Sequence, residues 1–427
     1  MPLTESMTLA DKFEYRPGLE RVQGLCDILG NPEEELKVIH IAGTNGKGST
    51  ACMIASVLDC AGVRTGMFTS PAVADPRECY RINGEMISEG EYADLSARVR
   101  TADEDLKAAS EGATKFERDV AMAFLYFAEN HCDAAVIECG MGGRDDATNI
   151  ARNKICCVIT SVSYDHMQYL GSTLGEIAAA KAGIITSDCP VISLDSSPEV
   201  TAVIKHRCDI TGSSLYAVDM SQVAFEDVFP EGEKLSFGRF RDVETGLTGY
   251  FQAENAALAM QALSVIESGK LLRGHDITDD IIVKGLAEAR WPFRFERIST
   301  YPLIYVDGAH NEDAAKKLKR TIEDRLADHR IALVMGMLAD KEYEKVVGIL
   351  APLASAIYAV ASPDNERALP ADKLAECARR YCDSVTVCKS IKEAGELAMG
   401  FSRSAEGKSA VIACGSLSYL NEFRKSL

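Results

Sequence analysis

The chain has 427 residues, 47% of them hydrophobic and 26% charged, which excludes wholesale disorder and suffices for two or three compact domains. Its formal charge of −18 argues against nucleic acid or an anionic membrane as a partner held by general electrostatic attraction, yet admits an anionic substrate in a locally basic pocket or beside a metal. No run approaches the roughly 18 apolar residues of a membrane span, and Met1 to Arg16 lacks the basic start and apolar run of a signal peptide. The expectation is a cytoplasmic protein. The fourteen cysteines include no CxxC pair, and several sit in apolar runs such as Cys156-Cys157. They read as buried thiols rather than as a disulfide framework or a zinc site.

In chain order, Lys37 to Ala42 (KVIHIA) predicts a short strand, Gly43 to Gly48 a tight polar loop and Ser49 to Ala61 a helix. Val63 to Phe68 reads as a strand, Arg118 to Asn130 as a helix, and Ala134 to Glu138 and Ile155 to Thr160 as further strands. Leu170 to Ala182 reads as a helix, with Thr173 and Glu176 at the spacing of a capping box. Buried-type strands separated by helices predict an α/β fold with a mostly parallel sheet covered on both faces. Ser213 to Gly249 alternates Gly, Asp and aromatic residues in the manner of a small antiparallel element, and helices follow from about Glu254 and Asp279. The irregular, charged ARWPFRFE (Ala289 to Glu296) marks a domain junction. From Pro302 the α/β rhythm restarts. LIYV, Ile331 to Met335, Ile357 to Val360, Val385 to Val387 and Ala410 to Cys414 read as strands, with helices over Glu312 to Leu326 and Tyr343 to Leu350. This second block is large enough to bury its own core. It contains no GxGxxG dinucleotide fingerprint.

Gly43-Thr44-Asn45-Gly46-Lys47-Gly48-Ser49-Thr50 follows a strand and opens a helix. In that setting backbone N–H groups point at phosphate oxygens and Lys47 adds a movable positive charge. The pattern is not GxxxxGK[ST]: Ile41 stands where the first glycine falls, and Gly48 follows the lysine, so Ser49 is the nearer hydroxyl for metal or phosphate. The alternative is a purely structural glycine turn. Glu138 ends an apolar strand just before Cys139-Gly140-Met141-Gly142-Gly143-Arg144. A carboxylate at the C-terminal end of a parallel strand beside a phosphate loop suits Mg²⁺ or its water; the alternative is a solvated strand end. His166, after the strand ICCVIT, either ligates a metal or anchors a loop. Lys181, late in its helix, fits a residue that offsets the helix dipole and snorkels to water. Asp307, after LIYV, either accepts from a ribose, with His310 in the same pocket, or forms an Asx turn. Arg294 either reaches phosphates or makes a salt bridge.

Together these segments resemble the folylpolyglutamate synthase/dihydrofolate synthase family, a branch of the Mur-ligase type of ATP-dependent amide-forming enzymes. The resemblance runs from about residue 15 to the C-terminus. HIAGTNGKGST (His40 to Thr50) looks like its phosphate loop, IECGMGGRDDATN (Ile137 to Asn149) like its acidic glycine motif, and Ile159 to Ile185 like its long central signature. FQAENAALA (Phe251 to Ala259), RWPFRFE, DGAHN, MGMLADKEY (Met335 to Tyr343) and GSLSYL (Gly415 to Leu420) extend the match in order. The resemblance implies a central ATPase domain over 1–296 and a smaller Rossmann-like glutamate-ligase domain over 297–427, with ATP held between them. It implies Gly43, Thr44, Asn45, Gly46, Lys47, Gly48 and Ser49 as the phosphate loop. Ser70, Glu138 and His166 correspond to metal ligands, for Mg²⁺. Asn255 and Arg294 correspond to ATP-phosphate contacts, and Asp307 and His310 to nucleotide contacts. Lys181 matches the lysine that is carbamylated in these enzymes. Lys47, Lys181 and His166 are the residues it implies in catalysis.

The activity implied is ATP-dependent addition of L-glutamate to a folate- or dihydropteroate-type acceptor through an acyl phosphate, by a monomer. The chain departs from the family pattern at several places. Ser70-Pro71-Ala72-Val73 replaces Ser-Pro-His-Leu, and Arg77-Glu78-Cys79-Tyr80 replaces Asn-Glu-Arg-Ile. Phe251 replaces a histidine, Pro292-Phe293-Arg294 replaces Pro-Gly-Arg, and Asn311-Glu312 replaces Asn-Pro. The alternatives are a related ligase acting on another carboxylate and an ATP-responsive binding protein without catalysis.

Overall fold

The computed structural model describes residues 16–195, 197–229, 232–363, 365–404 and 407–427. Of the polar stretch Met1 to Arg16, all but Arg16 lies outside them. The described chain gathers into two compact units, one running up to Met220 and resuming over Ala257–Gly285, the other made of Ser221–Ala256 and Leu286–Leu427.

The first unit is built on eight strands: β1 Val38–Ala42, β2 Thr65–Phe68, β3 Tyr80–Ile82, β4 Glu85–Met86, β5 Ala134–Glu138, β6 Lys154–Ile159, β7 Val191–Leu194 and β8 Leu215–Val218. Their order is β4-β3-β2-β5-β1-β6-β7-β8. Neighbouring strands are parallel except at β2–β3 and β3–β4, where the reversed strand β3 makes an antiparallel edge. Every residue of β1, β5 and β6 is buried, the result of helices covering both faces and the reason these strands read as continuous apolar runs. On the β2 side, Phe68, Phe124 and Phe127 centre the core. The register pairs Ile41 with Glu138 and Ala42 with Ile159. The phosphate loop, Glu138 and the segment leading to His166 therefore leave the sheet at one edge, beyond the strands' C-terminal ends.

Local capping sets several boundaries. The helix Lys47–Cys60 opens two residues earlier than the apolar pattern suggests, because Gly46 takes a left-handed conformation (φ 88°) that turns the loop directly into the helix. Lys115–Glu129 likewise begins early, at a Thr114/Glu117 capping box. The helix expected over Leu170 to Ala182 is two elements, Met167–Leu170 and Leu174–Ala182. The Thr173/Glu176 box marks a start, so the chain before it cannot be helix interior. Helices Glu20–Leu29, Glu89–Ala109 and Pro198–Thr211 have no counterpart in the sequence reading.

The second unit carries a three-stranded antiparallel sheet, β9 Ala224–Phe229, β10 Gly232–Phe237 and β11 Phe240–Thr245, ordered β11-β10-β9, within the stretch expected to form such an element. Its main sheet comprises β12 Glu296–Thr300, β13 Leu303–Val306, β14 Arg330–Met335, β15 Ala356–Ala359, β16 Val385–Val387 and β17 Ser409–Cys414, in the order β12-β13-β17-β14-β15-β16. Only β12 is antiparallel to its neighbour. Phe295 stacks on Tyr305 with ring centroids 4.4 Å apart, and Leu333, Met335, Ile357 and Ile412 fill the core beside them. Phe251, where the family pattern has histidine, packs against this same core. All fourteen cysteines are free thiols, twelve of them buried. Among the described residues no helix is long and apolar enough to cross a membrane.

One ion pair in this unit is buried. Arg325 Nη2 lies 2.8 Å from Glu233 Oε1, with the two side chains 6% and 2% exposed, and the Gly249 N–H donates to the same oxygen at 3.0 Å. Removing one partner leaves an uncompensated buried charge, so Arg325→Met is expected to cost about 3 kcal/mol. The double variant Arg325→Met/Glu233→Gln should recover part of that loss. Urea unfolding checks both, and a single variant as stable as the parent would contradict the assignment.

Candidate active site

The site grows from the turn after β1. The Gly43 backbone (φ 155°) passes so close to β6's end that an added Cβ would lie 1.7 Å from Thr160 Oγ1. Thr160 and Ser161 donate their hydroxyls to the Asn45 carbonyl at 2.7 and 3.2 Å. The Thr44 N–H donates to the Ser161 carbonyl at 2.7 Å. Thr44 Oγ1 donates to the Ser163 carbonyl and accepts from its N–H. The loop is thus held from β6, directly before the start of the helix Lys47–Cys60.

Two lysines converge on this turn. Lys47 Nζ donates to the carbonyls of Gly43 and Thr44, each at 3.2 Å, and lies 4.0 Å from Glu138 Oε1. Glu138 Oε2 accepts from the Ser70 N–H at 3.3 Å, so Ser70 and Glu138 meet at the ends of β2 and β5. Lys181 Nζ, only 3% exposed, donates to the Gly43 carbonyl at 2.8 Å. It does not snorkel to water. Burial, and secondarily the charge of Lys47, pull its pKa down to about 7.

The acidic glycine motif is a tied loop. Asp146, buried, accepts from the N–H groups of Met141 (2.7 Å) and Thr148 (3.1 Å) and from Thr148 Oγ1 (2.5 Å), while burial raises its pKa. The Arg144 N–H donates to the Ala180 carbonyl at 2.8 Å, and Asn149 Nδ2 to the Gly183 carbonyl at 3.3 Å. The loop is therefore bound to the helix that carries Lys181. Sequence reasoning gave Asp146, Thr148 and His40 no role of their own; a polar residue inside the apolar run VIHIA is the one signal that singles out His40.

His166 takes a left-handed conformation (φ 51°) before the short helix Met167–Leu170. Its ring is 41% exposed and 3.9 Å from Asp165. For Mg²⁺, the Glu138 carboxylate and the Ser70 hydroxyl supply the hard oxygen donors that ion prefers, and an exposed imidazole adds a neutral donor. The donor chemistry fits. Among the described residues no three His, Cys, Asp or Glu side chains gather around one point.

In the second unit, Asp307 follows β13. Its Oδ1 accepts from the Ala309 N–H and its Oδ2 from the Phe295 N–H, both at 2.8 Å, so the Asx turn forms. Burial raises its pKa, and the Arg294 charge opposes that rise. His310 Nδ1 is 2.8 Å from the Gly308 carbonyl, and Asn255 Nδ2 donates to Gln252 Oε1 at 2.8 Å.

Residues 41–263 match the Mur ligase middle domain, and residues 293–417 the Mur ligase glutamate ligase domain. A dihydrofolate synthase/folylpolyglutamate synthase of Bacillus subtilis is 37% identical over 97% of this chain and 96% of its own length. The chain belongs to the folylpolyglutamate synthase/dihydrofolate synthase family of Mur ligases. The fold is shared as well. A Mycobacterium tuberculosis folylpolyglutamate synthase solved with ADP and AMPPCP superposes with a TM-score of 0.87 at 30% identity, over 96% of this chain and 95% of that one. Escherichia coli FolC, solved with DHPP and ADP, gives 0.84 at 27% identity, over 97% and 95%. The α/β architecture and the amide-forming, ATP-dependent ligase class implied by the motifs are those of this family.

The depressed pKa of Lys181 has a measurable consequence. Its amine loses the proton near pH 7 in the folded chain but only near pH 10.4 when unfolded. Between those values the unfolded state binds more protons, so stability rises with pH; the burial penalty is complete below about pH 7 and gone above about pH 10. In bicarbonate-free buffer, Lys181→Met should raise the thermal midpoint most at about pH 6, by a margin that shrinks towards pH 10. A margin independent of pH would show that Lys181 is not the group responsible.

Proposed function

We propose that this chain uses ATP to join L-glutamate to a folate- or dihydropteroate-type carboxylate. The observation that carries this reading is the convergence of Lys47, Glu138, Ser70 and Lys181 at one edge of the first unit's sheet, in a chain related over its full length to folylpolyglutamate synthases. A carboxylate is a poor acyl donor because its leaving group is oxide. Attack of the acceptor carboxylate on the γ-phosphate releases ADP and forms an acyl phosphate. The glutamate amine then attacks the carbonyl, loses a proton, and the tetrahedral intermediate expels phosphate.

Residues 43–49 cradle the phosphates, and Lys47 meets the charge that develops on the transferring group. Glu138 and Ser70, with His166, would hold Mg²⁺, which when bound offsets phosphate charge. Residues 1–296 serve as the ATPase domain and 297–427 as the glutamate-ligase domain. Asn255, Arg294, Asp307 and His310 are the nucleotide contacts this reading assigns outside the phosphate loop. Lys181, with its readily deprotonated amine, is suited to take up CO₂ as a carbamate. The ammonium first gives up a proton; the neutral amine nitrogen then bonds the CO₂ carbon and a second proton leaves, so the side chain passes from +1 to −1. The reading takes the enzyme as a cytoplasmic monomer.

ADP release measured across dihydropteroate, tetrahydrofolate and non-pterin carboxylates, with and without L-glutamate and with product mass as readout, tests the assignment. The expected product is the acceptor plus one glutamyl residue. Turnover confined to non-pterin acceptors would favour the second reading, to which Ala72 and Cys79 in the loop after β2 give weight. Lys47→Ala should lower acceptor-dependent ADP release by roughly 100-fold or more with the fold retained. Near-parental turnover would remove Lys47 from the mechanism.

A further inference from the structure

The strand that feeds the phosphate loop carries a single polar side chain, His40, and that ring is wholly buried. His40 Nε2 lies 2.8 Å from Thr148 Oγ1 and 3.1 Å from Cys139 Sγ, while among the described residues no partner reaches Nδ1. Thr148 Oγ1 is in turn 2.5 Å from Asp146 Oδ1, and Asp146 Oδ2 accepts from the Met141 N–H. A carboxylate only accepts, so the Thr148 hydroxyl donates its proton to Asp146 and offers its oxygen to the ring. Nε2 therefore carries the hydrogen and Nδ1 is the bare acceptor, consistent with burial that keeps the ring neutral. An apolar side chain of similar volume in this strand would leave no ring nitrogen unsatisfied. What it would lose is the ring donor to Thr148 Oγ1, which otherwise has Cys139 Sγ 3.4 Å away and Asp146.

We propose that His40 is a positioning residue that acts through Thr148. It fixes Asp146, which pins the Met141 amide and with it the turn that follows Glu138, so that Glu138 faces Lys47. The kinetic part rests on the ligase reading; the structural part does not.

The test compares His40→Leu and Thr148→Val, which remove the hydrogen bond, with His40→Gln and Thr148→Ser, which retain a donor or hydroxyl. Loss of a hydrogen bond that supports a buried carboxylate predicts about tenfold faster amide exchange across residues 139–146 in the Leu and Val variants. It also predicts a fall in kcat of about tenfold, with KM for ATP within about threefold of the parent. The Gln and Ser variants should recover both to within about threefold. Should either position fail to fold when made apolar, the other pair decides. Parental exchange rates in the apolar variants would overturn the proposal, as would Gln and Ser variants as impaired as their apolar counterparts, since volume alone would then explain the site. A parent protein without glutamate-dependent ADP release overturns the ligase reading instead, and the exchange measurement still judges His40.

Discussion

The carbonyl of Gly43 is the point on which the first unit's chemistry turns. It accepts from Lys181 at 2.8 Å and from Lys47 at 3.2 Å, and two ammonium groups on one oxygen repel unless one of them gives up its proton. Lys181 is deeply buried, and burial, with the Lys47 charge beside it, lowers its pKa. That arrangement needs a residue without a Cβ, because Thr160 fills the space a side chain would take. It also needs β1, β5 and β6 to be adjacent and parallel, so that the loop, Glu138 and Thr160 end at the same level. Sheet order, a single glycine and the state of one lysine are thus a single constraint seen at three scales.

Much of this was legible in the sequence where the signal is local. The glycine-rich turn after β1, the strand end at Glu138 and the capping box at Thr173 each declare themselves within a few residues. What stayed hidden depends on pairing between distant segments. Thr148 and His40 meet across 108 residues, and no periodicity in either segment announces the partner. Lys181 is the sharpest case. A lysine near a helix C-terminus reads as a dipole cap, and only the tertiary fold turns it inward to Gly43 rather than out to solvent.

The departures from the family pattern have local explanations. Phe293 replaces a glycine and keeps a left-handed backbone (φ 60°), which is unfavourable for a side-chain-bearing residue. Its N–H donates to Glu296 Oε2 at 2.9 Å, and the Arg424 guanidinium lies 4.5 Å above its ring while also pairing with Glu296. These contacts offset the backbone cost. Glu312 replaces proline at the first position of the helix Glu312–Arg325, where both residues fit: proline for its fixed φ, glutamate for its charge at the dipole's positive end. In the loop after β2, Glu78 accepts from the N–H groups of Val73 and Ala74 at 2.9 and 3.2 Å, and Arg77 pairs with Asp75 at 2.7 Å. That loop is held by its own charged residues.

A protein of net charge −18 that takes ATP does so against its own average field, and in the proposed site it is the lysines that oppose that field. Lys47, Lys154 and Lys181 are drawn into the protein around the acidic glycine loop. Lys154 Nζ donates to Asn149 Oδ1 at 2.6 Å and to the Ile184 carbonyl at 2.9 Å, joining that loop to the end of the Lys181 helix. Surface charges act through water and salt and fade within about 10 Å. Charges set in a low-dielectric wall do not, so one cation at the mouth of the glycine-rich loop acts there more strongly than a larger number of exposed carboxylates farther off. The same burial destabilises each ammonium. Lys154 and Lys181 accordingly have depressed pKa values, and Lys47 lies at the mouth of the loop, 4.0 Å from Glu138 Oε1.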